Sequence, residues 1–167
     1  MKYTQIDSNL FIKNRKKFVA QMRPKSIAVF NSNDIYPIGA DSTLPFEQDR
    51  DLFYLSGADQ EETILLLFPD AMDQKHREIL FVRETVYWLT EFDKIFFDLM
   101  TEADTIYFNT NEHYRQAVET QTREDRFIEK VKKEYPAHQW AKSNPILQNI
   151  RGVKEPEEIE LMQKACD

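Results

Sequence analysis

Carboxylates dominate the residues that could do chemistry. Asp49 with Asp51, Glu61-Glu62 and Glu157-Glu158 are the most compact pairs. Paired carboxyls suit general acid–base work and the binding of hard metal ions. With 29 Asp and Glu in the chain, such pairs arise by chance, and none marks a site alone. The histidines, His76, His113 and His138, have no second His or Cys at metal-ligand spacing and read as ordinary solvated residues. No His-Glu-x-x-His zinc helix occurs. Glycines stand only at 39, 57 and 152, which excludes a phosphate-cradling loop and the dinucleotide fingerprint. There is no Gly-x-Ser-x-Gly elbow for a nucleophilic serine. Cys166 falls on a helical stripe with Ile159 and Met162, where a small buried thiol is the ordinary reading. This chain is therefore expected to hold no catalytic residue, metal site or cofactor of its own.

Two stretches stand apart. Asp41 to Gly57 packs acids, aromatics, Pro45 and Gly57 into a form that reads as a Pro-containing loop followed by an aromatic strand over Asp51 to Leu55. A loop carrying Asp41, Glu47, Gln48, Asp49 and Arg50 could line a polar cleft. The second stretch is Arg151-Gly152-Val153-Lys154-Glu155-Pro156-Glu157-Glu158-Ile159. Pro156 suits a first helical turn, and the acids around it oppose the positive end of the helix dipole.

The elements that must position these stretches alternate between helix and strand. A basic helix starts at Asp7 or Ser8 and runs to about Met22, with Leu10, Phe11, Phe18 and Met22 at helical spacing. Strands are expected over 26–30, 63–68, 79–82, 105–108 and 138–141. Leu89, Phe92, Phe96 and Leu99 make one core-facing helical stripe, and Ile128, Val131 and Tyr135 mark another helix. Residues 145–154 read as a linker helix or turn. The alternation predicts an α/β class, a mixed central β-sheet flanked by helices on both faces.

At 167 residues, 41% hydrophobic and 31% charged, the chain fits one folded globular domain. A net charge of −7 argues against nucleic acid. Residues 1–25 hold seven Lys and Arg against one Asp, a solvated basic face or a docking surface for an acidic neighbour. One cysteine excludes an internal disulfide and suits a reducing cytoplasm. The N-terminus lacks the apolar run of a signal peptide, and Ile64 to Phe68 is too short to span a membrane.

The two stretches resemble marks of the aminopeptidase P / prolidase / creatinase family. The first matches the family pattern at Asp41, Leu44, Pro45, Phe46, Gln48, Asp51, Tyr54, Leu55 and Gly57, and departs from it at Glu47 and Arg50. The second matches at Arg151, Lys154, Pro156, Glu158 and Ile159. The pair, about a hundred residues apart and in this order, is more specific than either alone. The resemblance implies the creatinase/aminopeptidase P N-terminal fold. Residues 1–150 would form the non-catalytic N-terminal domain, and 151–167 the linker and the start of a catalytic domain that the chain lacks. The parent enzyme would be a cytoplasmic metallo-aminopeptidase that releases an N-terminal residue preceding proline. Its two divalent ions, manganese in the usual case, would sit in the catalytic domain. The N-terminal domain would cover the active-site cleft and build a homo-dimer or tetramer.

Carried over residue by residue, Asp41 matches a cleft-facing acid and Arg151 an arginine placed to meet a carboxylate or carbonyl of the peptide substrate. Pro45, Phe46, Asp51, Tyr54, Gly57, Lys154, Pro156 and Glu158 carry the motif structurally. The family has an extra segment after the strand ending near Arg83. Here Glu84 runs straight into Thr85, and the reading is that a mobile loop is missing between them. A prolidase or creatinase-like hydrolase is the alternative within the family. A stand-alone, non-enzymatic interaction module is the alternative outside it.

Overall fold

A computed structural model describes residues 6–39, 41–83, 89–110 and 120–166. Glu84, Thr85, Trp88 and His113, and the expected loop at the Glu84–Thr85 junction, lie outside them. Six helices are described: α1 (Ser8–Val19), α2 (Arg50–Ser56), α3 (Phe92–Met100), α4 (Arg123–Glu134), α5 (Asn144–Gly152) and α6 (Pro156–Cys166). Five strands form one sheet: β1 (Ser26–Asn31), β2 (Ile64–Leu67), β3 (Glu78–Phe81), β4 (Thr105–Phe108) and β5 (Gln139–Lys142).

The sheet order is β3-β2-β1-β4-β5. β1 pairs antiparallel with β2 and parallel with β4, so the sheet is mixed. Period-two alternation assigns its two faces. Ile27, Val29, Ile64, Leu66, Ile79, Phe81, Ile106 and Phe108 meet Phe92, Phe96 and Leu99 of α3 and Ile128 and Val131 of α4. Ala28, Phe30, Leu65, Leu67 and Tyr107 meet Phe18 of α1, Leu52 and Leu55 of α2, and Ile146, Leu147 and Ile150 of α5. Helices thus cover both faces, and the α/β class with a mixed central sheet is the observed one.

The structure corrects two sequence expectations. Asp51 to Leu55 is helix, not strand. Asp49 caps it by accepting from the N–H groups of Asp51 and Leu52, and Gly57 ends it in the left-handed conformation at φ 70°. Leu52 and Leu55 are fully buried, one helical turn apart, each contributing about 1.5–3 kcal/mol. Cys166 is exposed, as are Ile159 and Met162, because α6 buries none of its residues. Residues 145–152 are ordinary core helix: α5 seats Ile146, Leu147 and Ile150.

Candidate functional site

The two stretches singled out in the sequence meet in space. α2 lies on the sheet with its first turn beside the last turn of α5. Arg151 Nη1 donates to Asp51 Oδ1 at 2.6 Å. The guanidinium also lies 5.4 Å from the Tyr54 ring centroid, within cation–π reach. Lys154 Nζ donates to the Arg151 carbonyl, tying the turn after α5 to the same cluster. Glu158 accepts from the Glu155 N–H at 2.8 Å and caps α6, which begins at Pro156.

Gln48 organises the loop before α2. Its Nε2 donates to the carbonyls of Ala58 and Gln60 at 3.1 and 2.9 Å, and its Oε1 accepts from the Asp49 N–H. The two sides of α2 are thereby stapled together. Gly57 has a second reason to be glycine: a Cβ there would lie 2.5 Å from the Phe11 ring.

A cavity of about 840 Å³ lies among α1, α2 and α6, bordered by Asn14, Gln48, Tyr54, Arg151, Lys154 and Glu158. Asn14 is 1% exposed and donates to the Tyr54 carbonyl at 3.0 Å. Burial, with Glu158 nearby, pushes the Tyr54 phenol up to about 12, so it remains a neutral donor. Cationic, amide and phenolic groups therefore converge at one opening. Such a set can hold a carboxylate or a peptide carbonyl.

Asp41 lies elsewhere. It is exposed near the tip of a small hairpin in which the Ile38 N–H donates to the Ser42 carbonyl and the Leu44 N–H to the Tyr36 carbonyl. Pro45 is exposed and Phe46 half-buried on the way to α2. The structure brings Asp51, Tyr54, Arg151, Lys154 and Glu158 together, and does not place Asp41 on that cavity. The basic face of α1 finds its acidic neighbour within the chain. Lys13 pairs with Glu157 at 2.5 Å, Lys17 pairs with Glu155, and Arg15 with Glu78 at 3.0 Å.

Sequence reasoning missed one polar cluster. Glu124, in the first turn of α4, receives Asn31 Nδ2 at 2.7 Å and the Asn109 N–H at 3.2 Å. Asn109 Nδ2 reaches Asp49 Oδ1 at 3.3 Å. The available signal was an asparagine directly at the end of each of two apolar strands. Among the described residues, no group of three or more His, Cys, Asp or Glu could hold a metal ion, so a metal pair finds no fitting ligand set there. No described helix is long and apolar enough to cross a membrane.

Residues 11–86 match the family model described as aminopeptidase P, N-terminal domain. That match spans a little under half of the chain, and the fold shared with solved structures extends along nearly all of it. A Bacillus anthracis protein assigned as an aminopeptidase P superposes with a TM-score of 0.80 at 21% identity, over 94% of this chain and 43% of its own. Escherichia coli aminopeptidase P in its low-pH form gives 0.76 at 20% identity, over 97% and 42%. Pseudomonas aeruginosa aminopeptidase PepP gives 0.75 at 20% identity, over 96% and 42%. The chain therefore spans less than half the length of these structures. No curated protein matches it significantly.

Proposed function

We propose that this chain is the accessory and oligomerisation domain of a metal-dependent Xaa-Pro aminopeptidase. The observation that carries this reading is the family match over residues 11–86 within a fold shared along nearly the whole chain. The peptide bond would be cleaved in a further domain, where two divalent ions, manganese by expectation, activate the attacking water. The role of this domain is positional. Arg151, oriented by Asp51 and the Tyr54 ring, would present its guanidinium to a substrate carboxylate or carbonyl at the domain boundary. Asp41, on its exposed hairpin, would face the cleft of the same or a neighbouring subunit. The exposed apolar side chains of α6, Ile159 and Met162, would pack against the catalytic domain.

The test joins this chain to the remainder of its reading frame and assays Xaa-Pro peptides with added manganese. Proline-dependent release of the N-terminal residue, abolished by chelation and absent from the 167-residue chain alone, is the expected result. A reading frame that ends at Asp167 would remove the peptidase assignment. In the longer protein, Arg151→Ala should lower kcat/KM by about tenfold or more. An unchanged value would remove the substrate role of Arg151.

A further inference from the structure

The sheet face opposite the Arg151 cluster carries α3 and α4, and aromatic rings line the groove between these helices. Phe92 and Phe96 stack at 5.2 Å with their planes 14° apart. Phe127 is inclined to them by 58° and 56°, and Tyr135 stands at 87° to Phe96. These rings border a cavity of about 240 Å³. Pockets that enclose a whole drug-sized molecule run to roughly 300–1,000 Å³, so this one suits a small head group. Core packing accounts for Phe92 and Phe96, which are buried, but not for Phe97, which borders the same cavity and is 60% exposed.

Three charged side chains share that border: Asp93, Lys130 and Glu134. Lys130 Nζ donates to Asp93 Oδ1 at 3.0 Å, so these two charges offset each other. The Glu134 carboxylate makes no hydrogen bond or ion pair among the described residues, and it leaves the border with a net negative charge. An anion is therefore repelled and a cation attracted. The ring faces act in the same direction, because their quadrupole is negative above and below the plane. A purely apolar guest would desolvate the carboxylate without compensating it. An alkylated ammonium ion meets both demands, with methyl groups for the rings and a positive charge for the carboxylate.

We propose that the groove between α3 and α4 binds a free organic cation of the alkylated-ammonium class, with its methyl groups against Phe96, Phe127 and Tyr135 and its charge toward Glu134. Asp93 and Glu134 would repel a phosphate carried on the same head group, which favours the free cation over a phosphate ester of it. The site is independent of the peptidase reading, since it uses neither the Arg151 cluster nor a further domain.

The test titrates the 167-residue chain with choline and follows it by proton NMR. The choline methyl signal should move upfield, as ring faces shield what lies over them, and the ring protons of Phe127 and Tyr135 should respond together. No response at about 0.1 M choline would overturn the proposal. The neutral carbon isostere, in which a tert-butyl group replaces the trimethylammonium, should bind at least about tenfold more weakly. Equal binding of that alcohol would reduce the site to an apolar groove and overturn the cation reading. Phosphocholine should also bind more weakly than choline, and equal affinity would overturn the preference for the free cation. Glu134→Gln, at an exposed helix position, should leave the fold intact and weaken choline by roughly threefold or more. An unchanged affinity in that variant would overturn the part given to the carboxylate.

Discussion

Asp49 and Asp51 open the same helix, two residues apart, and meet opposite surroundings. Asp49 turns toward the sheet, where backbone N–H groups and Asn109 Nδ2 donate to it, and Asn109 also donates through its backbone to Glu124. Asp51 turns toward α5, where a guanidinium meets it at 2.6 Å. Burial raises the Asp49 carboxyl above its ordinary range although the N–H groups that meet it pull the other way, whereas Asp51 is matched by a guanidinium of opposite charge. One turn of helix therefore supplies a partly buried cap to the Glu124 cluster and an ion-pair partner to the Arg151 cluster. The residue type is the same, and the neighbours decide the chemistry.

That contrast depends on α2 being anchored, so the largest effect should come from below it. Leu52→Ala removes a fully buried side chain and should cost about 2–5 kcal/mol in chemical denaturation, disturbing both carboxyl environments at once. Gly57→Ala should cost about 1–3 kcal/mol, because the left-handed cap and the Phe11 ring both oppose a Cβ. A thermal scan showing no loss would mean that the loop after α2 can shift freely. Asp49→Ala removes the N-cap and should cost about 0.5–2 kcal/mol. In the isolated chain Arg151→Ala should cost about 1 kcal/mol or less, since the guanidinium is 42% exposed. The sharpest comparison is between that small loss of stability and a large loss of kcat/KM in the longer protein, because a purely structural arginine would show only the first. The smallest effect concerns α6. Raising salt to about 1 M should screen Lys13–Glu157 and Lys17–Glu155 and speed hydrogen exchange in α6 without moving the main unfolding midpoint.

The sheet was legible because its strands are short apolar runs closed by turn residues, and the α3 and α4 stripes kept helical spacing at Phe92, Phe96 and Leu99 and at Ile128 and Val131. α2 was misread because Leu52-Phe53-Tyr54-Leu55 is aromatic and short, and its composition outweighed the cap signals at Asp49 and Gly57. Arg151 and Asp51 were each noted in the sequence, but their meeting depends on how α5 crosses α2, which no local pattern encodes. Glu124 was invisible for a different reason. It sits in a run of charges, Arg123-Glu124-Asp125-Arg126, that reads as a solvated surface, and only the fold turns that one carboxyl toward Asn31 and Asn109.

The pairing of β1 has a bearing on how the chain comes into being. β1 meets β2 after a moderate stretch of sequence, but Ser26 must wait for Thr105, roughly eighty residues later, before its other edge is covered. During synthesis the apolar run Ile27 to Phe30 therefore emerges with one hydrogen-bonding edge open. It stays open until most of the domain has been made. Slow translation just before Thr105 would lengthen that exposure and favour aggregation of the nascent chain, whereas the finished sheet keeps β1 at its centre.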